Sequence, residues 1–179
     1  MRIIAGAWRG RTIVAPKGDA TRPTADRTRE ALFSMLVSRL GSFEGLRVAD
    51  MFAGSGALGL EALSRGAAHC TFIEQDRAAL DALKANIAKL GAAASDVRAQ
   101  SVLALGVASQ PFDLVLMDPP YGSGAGIVAL EKLTRLGWIA PHGLVSIETS
   151  GKEIVAVEGY TAEPPRDHGK ARITLLRRD

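Results

Sequence analysis

Asp118, Pro119, Pro120 and Tyr121 follow one of the most apolar runs of the chain, Phe112-Asp113-Leu114-Val115-Leu116-Met117. Two consecutive prolines remove two backbone donors and fix φ, so the Asp118 carboxylate and the Pro119 carbonyl sit in a stiff turn rich in acceptors. Acceptors aimed at one point bind an NH₂ group. Hydrogen bonds from the two hydrogens of an exocyclic base amine favour a pyramidal, nucleophilic nitrogen, which can attack an electrophilic carbon in line. Tyr121 adds a π-face for a base drawn out of its helix, as enzymes acting on bases require.

A second constellation spans residues 50–59, Asp-Met-Phe-Ala-Gly-Ser-Gly-Ala-Leu-Gly. It follows the short apolar run Leu46-Arg47-Val48-Ala49 and opens a helical pattern that continues through Leu60 and Leu63, which predicts strand, tight turn, helix. Gly54 and Gly56 let the chain turn sharply, and Gly59 lets the helix approach the sheet. Glu74 ends the next apolar run, Cys70-Thr71-Phe72-Ile73, where a carboxylate can accept both hydroxyls of a ribose. Together these residues predict a nucleoside-cofactor site.

Gly54-x-Gly56-x-x-Gly59 with Glu74 about twenty residues on matches the dinucleotide fingerprint literally, so a nicotinamide cofactor is one reading. Asp50 argues for another. A carboxylate at the tip of the first strand disfavours a pyrophosphate and suits a cation. S-adenosylmethionine (SAM) offers an ammonium and a sulfonium there, and its methyl group is the electrophile that a base amine needs.

The elements that position these residues follow from periodicity. Strands are expected at 46–52, 69–74, 96–100, 112–117 and 143–148, and helices from Thr24 to Gly41 and over 57–65, 77–90 and 125–137. Thr24 or Asp26 is available as N-cap of the first helix. Strands alternating with helices imply an α/β fold with a mostly parallel sheet, covered on both faces, that binds ligands at the strands' carboxyl ends. Asp50, Glu74 and Asp118 all fall at such ends. Two closing strands, 153–158 and 171–177, have no helix between them and are expected to form an antiparallel edge hairpin.

With 179 residues and 47% hydrophobic content, the chain is long enough to bury a full sheet between helices. No apolar run is long enough to span a bilayer, and the first residues lack the apolar core of a signal peptide, so no membrane partner and a cytoplasmic location are expected. One cysteine, Cys70, permits no internal disulfide, and no metal site is implied. The net charge of +3 is unevenly spread. Residues 1–29 carry seven Lys/Arg against two acids and residues 166–179 five against two, leaving −5 between them. A basic N-terminal segment suits a polyanion. Residues 2–14 have two β-prone ends around a glycine-containing middle, which predicts a hairpin bearing Arg2, Arg9 and Arg11. Trp8 beside them either stacks on an RNA base or pins the hairpin to the body. Lys17 lies in the turn-rich connector that follows. A basic hairpin extension over 1–21 and a main domain over 22–179 are therefore expected.

The chain resembles the bacterial family of small-subunit (16S) ribosomal RNA methyltransferases that modify guanine at N2, within the class I SAM-dependent superfamily. The resemblance spans nearly the whole chain: Arg2-Ile3-Ile4-Ala5-Gly6, Arg22-Pro23-Thr24, Arg29-Glu30-Ala31-Leu32-Phe33, Asp50-Met51-Phe52-Ala53-Gly54-Ser55-Gly56, Glu74 and Asp118-Pro119-Pro120-Tyr121. It implies a Rossmann-like class I methyltransferase sheet, mostly parallel with an antiparallel terminal strand. It also implies that Asp50, Gly54 and Gly56 hold the methionine end of SAM, with Phe52 and Ser55 also at the cofactor, Glu74 the ribose, and Asp118 the target amine. Arg22 and Thr24 match a segment near the cofactor's amino-acid end. Where the family commonly has an acid after the third strand to accept from adenine, this chain has Gln100-Ser101, whose Gln100 amide oxygen can still accept.

The implied partner is 16S rRNA, within an assembling small subunit, since one small hairpin contacts little RNA by itself; a monomer is expected. The same amine chemistry would serve an N6-adenine DNA methyltransferase, though little of the chain is left for a DNA recognition domain. A nicotinamide oxidoreductase, and a non-catalytic SAM-binding ribosome-assembly protein, are the readings from other classes.

Overall fold

The computed structural model describes residues 1–15 and 23–179. Helix α1 (Pro23–Leu40) is followed by β1 (Arg47–Met51), α2 (Ala57–Ser64), β2 (His69–Glu74), α3 (Arg77–Leu90), β3 (Ser95–Ala99), β4 (Phe112–Met117), α4 (Ala125–Arg135) and β5 (Ile139–Ser150). Three closing strands follow, β6 (Tyr160–Ala162), β7 (Arg166–His168) and β8 (Ala171–Arg178). One eight-stranded sheet has the order β3-β2-β1-β4-β5-β8-β6, with β7 also on β8. Strands β1 to β5 run parallel and β8 antiparallel to β5, which is the mostly parallel sheet with an antiparallel terminal strand expected from sequence.

Two apolar layers flank the sheet, and the period of two along each strand decides which residue enters which. Val48, Phe72, Leu114 and Leu116 pack with Leu32, Phe33, Leu36, Leu60 and Leu83 of α1, α2 and α3. Ala49, Met51, Ile73, Val115 and Met117 pack with Leu130, Leu133 and Trp138 on the α4 side. Among the described residues, no helix is long and apolar enough to cross a membrane.

Two expectations are corrected. Residues 153–158 form no strand; Val155 and Val157 are buried in the α4-side layer instead. The reason is competition for β8, whose two edges are taken by β5 on one side and by β6 and β7 on the other. The first helix starts at Pro23, before either expected cap, because proline at a first helical position gives up an N–H that has no helical partner anyway. Asp26 falls within its first turn and pairs with Arg29 at 3.3 Å.

The N-terminal hairpin is present as a single antiparallel bridge, Arg2 to Thr12, and it is fastened to the body. Buried Glu61 of α2 accepts the N–H groups of Ile4 and Ala5 at 2.8 and 3.1 Å. Ser64 accepts from Trp8 N–H and donates to the Ala5 carbonyl. Buried Asn86 of α3 exchanges two hydrogen bonds with Val14 and also donates to the Ser55 carbonyl. Arg29, also buried, faces Glu61 at 3.7 Å, and Arg65 pairs with it at 2.9 Å. Acids at the start of α1 answer the arginine there, where the helix dipole by itself disfavours a cation.

Candidate active site

Because β1, β2, β4 and β5 are parallel, their carboxyl ends meet along one edge of the sheet. Strand register aligns Asp50 with Phe72 and Leu116, and Leu116 with Ser146. Two residues further along three of these strands, on the same face, come Glu74, Asp118 and Glu148. In spatial order the edge therefore presents Glu74, Asp50, Asp118 and Glu148, one carboxyl per strand. Among the described residues, none of the salt bridges involves any of the four.

Asp50 is 1% exposed, and its Oδ2 accepts the Gly59 N–H of α2 at 2.9 Å. Burial pushes its carboxyl up to about 8, partly offset by the Gly59 hydrogen bond and reinforced by the charge of Glu74. Asp118 keeps contact with solvent at the mouth of the site. Its carboxyl is held well above the usual carboxylate range by withdrawal from bulk water, then by a hydrogen bond and charge from Glu148, then by the charge of Asp50. Asp50 and Asp118 thus each feel a neighbouring acid. A row of carboxyls suits a cation.

The glycine turn shapes the space in front of Asp50. Phe52 has φ 58°, a left-handed conformation uncommon for a bulky side chain, and Gly54 follows at φ 57°. The turn is held by the Ala53 N–H on the Ile73 carbonyl and the Gly56 N–H on the Ala53 carbonyl. A Cβ on Gly54 would meet no atom within 4 Å, so the backbone there borders open space that a ligand can use. At Gly59 a Cβ would stand 2.6 Å from Cys70 Sγ and closer still to the Phe72 ring, which explains the glycine by close helix-to-sheet packing, as expected. Ser55 is buried beneath the turn.

Glu74 accepts the Gly54 N–H on Oε1 at 2.7 Å and the N–H groups of Gln75 and Asp76 on Oε2. A carboxylate has about four acceptor sites, so three such bonds orient it and leave capacity toward a ligand hydroxyl. Beyond β3, Ser101 caps the short turn Val102–Ala104 by accepting the Leu103 N–H at 3.2 Å, and Gln100 precedes it, half-buried.

The Asp118-Pro119-Pro120-Tyr121 turn leads from β4 into α4. Ser123 Oγ donates to the Pro120 carbonyl at 2.7 Å, which engages that carbonyl within the turn. Pro119 is buried, and α4 comes so close that a Cβ on Gly126 would lie 3.2 Å from its ring. Tyr121 is 49% exposed, with its hydroxyl donating to Glu148 Oε2 at 3.1 Å. Its ring is therefore both available and tethered.

Sequence reasoning missed Glu148. It ends an apolar strand segment just as Glu74 does, and that repetition was the available signal. Glu61 and Asn86 were missed too, as polar residues inside helical apolar patterns. Of the residues expected at the basic surface, Arg2, Arg9 and Arg11 are exposed, with Arg11 Nη2 also donating to the Lys89 carbonyl. Trp8 is half-buried against the α1/α2/α3 layer, as the pinning alternative requires. Lys17 and Arg22 lie outside the described residues, as does the side chain of Thr24.

The row of four acids decides between the two cofactor readings. Among the described residues, a pyrophosphate would face this row of carboxyls, whereas an ammonium and a sulfonium are complementary to it.

Comparison with known proteins agrees. The model of the family described as "Conserved hypothetical protein 95" matches residues 1–177. The chain is 36% identical to the ribosomal RNA small subunit methyltransferase D of Haemophilus influenzae, over 90% of this chain and 85% of that one. It is 42% identical to the enzyme of that name from Escherichia coli K12, over 83% and 74%. The solved structure of the Escherichia coli protein yhhF superposes with a TM-score of 0.88 at 36% identity, covering 100% of this chain and 98% of the other. This chain is a methyltransferase, and it belongs to the family of ribosomal RNA small subunit methyltransferase D.

Proposed function

We propose that the protein transfers the methyl group of SAM to the exocyclic N2 amine of a guanine in 16S ribosomal RNA. The observation that carries this reading is the row of carboxyls, in which Asp50, suited to a cation, stands on the strand next to that of Asp118, suited to an amine. That arrangement would bring the cofactor and the target nitrogen to one sheet edge.

When bound, SAM supplies a methyl carbon on a cationic sulfur. Asp50 and the turn Phe52, Gly54, Ser55 and Gly56 would hold its methionine end, Glu74 its ribose, and Gln100 with Ser101 its base, with Arg22 and Thr24 completing the amino-acid end. Asp118 and the Pro119 carbonyl accept from the two N2 hydrogens, with Pro120 stiffening the turn and Tyr121 stacking on the extruded base. Transfer would form the N–C bond from the nitrogen lone pair as the C–S bond breaks toward sulfur, and the surplus proton on nitrogen would leave to water. Orientation and charge stabilisation carry the rate, with no strong base required.

Arg2, Trp8, Arg9, Arg11 and Lys17 would grip RNA phosphates and bases beside the site, on an extension over residues 1–21 carried by the methyltransferase domain 22–179. Because this surface is small, the preferred substrate is an assembling small subunit in the cytoplasm, met by a monomeric enzyme. Labelled SAM offered to small subunits lacking the modification should place label in N2-methylguanosine, and Asp118→Ala should abolish it. Label only in N6-methyladenine of DNA would overturn the target, and equal rates on protein-free 16S rRNA would overturn the particle preference.

A further inference from the structure

Glu148 has no part in the steps above, yet it is one of the four acids of the sheet edge. It lies one strand over from Asp118, immediately after the registered pair Met117 and Ile147. Its carboxyl shares the sheet edge with that of Asp118 on the neighbouring strand and accepts the Tyr121 hydroxyl at 3.1 Å. Two acceptors on neighbouring strands suit a ligand that presents two adjacent N–H donors.

The amino-bearing bases differ in what stands next to the amine. In adenine, N6 neighbours the bare N1 lone pair, and in cytosine N4 neighbours the bare N3. Only guanine sets a ring N–H donor, N1–H, beside its exocyclic amine. An acceptor beside the amine site therefore fits guanine and faces a lone pair in the other two.

We infer that Glu148 is the residue that selects guanine, its carboxylate accepting N1–H while Asp118 and the Pro119 carbonyl hold the N2 amine. This rests on the reading of the target as guanine N2 and adds what distinguishes it from an adenine amine. The hydrogen bond from Tyr121 fixes the Glu148 carboxyl in place, which makes the discrimination a matter of geometry as well as charge.

The decisive variant is Glu148→Gln. The amide keeps the size of the side chain and an acceptor for Tyr121, and it can turn its NH₂ toward the base. It would then donate to N1 of adenine. The target guanine is first located by mapping the label in 16S rRNA, and small subunits are then reconstituted with either guanine or adenine at that position. The wild-type enzyme should methylate the guanine substrate and reject the adenine one. Glu148→Gln should lose at least tenfold in kcat/KM on guanine and gain label in N6-methyladenosine, moving the guanine-to-adenine ratio on the order of a hundredfold. Tyr121→Phe, which removes the tether but leaves the acceptor, should lower both rates without moving the ratio as far.

A ratio unchanged in Glu148→Gln, with SAM affinity intact by calorimetry, would overturn the inference and leave Glu148 as a support for Asp118 and Tyr121. If the wild-type enzyme puts no label in N2-methylguanosine at all, the reading of the target fails and this inference with it, a result distinct from an unchanged ratio.

Discussion

Glu74 Oε1 accepts the backbone N–H of Gly54 at 2.7 Å, which joins the acid at the end of β2 to the glycine turn at the end of β1. The residue proposed to hold the ribose is thus also a strut for the loop that would hold the methionine end. Glu74→Gln keeps a carbonyl oxygen for Gly54 but loses charge and acceptor capacity, whereas Glu74→Ala loses the strut as well. Calorimetric titration with SAM should show about tenfold weaker binding for Gln and a larger loss, on the order of a hundredfold, for Ala. Equal losses in the two variants would mean that the strut has no role in binding.

The buried carboxyl of Asp50 should make stability depend on pH. Its ordinary value is 3.8, that of the unfolded chain, and burial raises it to about 8 in the folded protein. Between those values the folded state holds a proton that the unfolded state has released. Stability from this group is complete at pH 4 and is lost as pH rises to 8, at about 1.4 kcal/mol per pH unit. Asp50→Asn can still accept from Gly59 and carries no such dependence. In the absence of cofactor, the melting temperature of the variant should rise relative to wild type between pH 5 and pH 8, while its affinity for SAM falls about tenfold or more. A difference in melting temperature that does not change with pH would refute the burial effect.

The glycines of the turn should differ in cost. At Gly59 an added methyl collides with Phe72 and Cys70, both in the sheet beneath and fully buried. Gly59→Ala should therefore lose about 1–3 kcal/mol in urea denaturation. Gly54→Ala meets no atom within 4 Å, so its cost is the left-handed backbone, about 1 kcal/mol. Its larger effect should be on SAM affinity, because its methyl enters the space left for the ligand.

Glu61 is the fastening between the N-terminal segment and the body. Removing its carboxylate leaves buried Arg29 facing no acid on α2 and the N–H groups of Ile4 and Ala5 without their acceptor. Glu61→Ala should cost about 3–5 kcal/mol. Asn86→Ala, which removes neutral hydrogen bonds to Val14 and Ser55, should cost about 1–3 kcal/mol. Urea unfolding measures both, and proteolysis near residues 1–15 should accelerate in each variant.

The sequence by itself determined the alternation of strands and helices, because apolar period and glycine punctuation are local properties. The placement of Asp50, Glu74 and Asp118 at strand ends was legible for the same reason, as was the stiffness of the Asp118-Pro119-Pro120 turn. Pairing was not legible. Whether 153–158 or 160–168 would lie beside β8 depended on which strand already occupied its edges. That β5 stands next to β4, and so brings Glu148 against Asp118, is likewise a fact of strand order, since nothing in residues 143–148 names their neighbour. Glu61 and Asn86 are ordinary polar residues in helical patterns until a distant backbone, residues 4–14, arrives with hydrogen bonds to satisfy. Local chemistry supplied the candidate groups; only the tertiary structure decided which of them would face one another, because charge and hydrogen bonding act through distance in space and not along the chain.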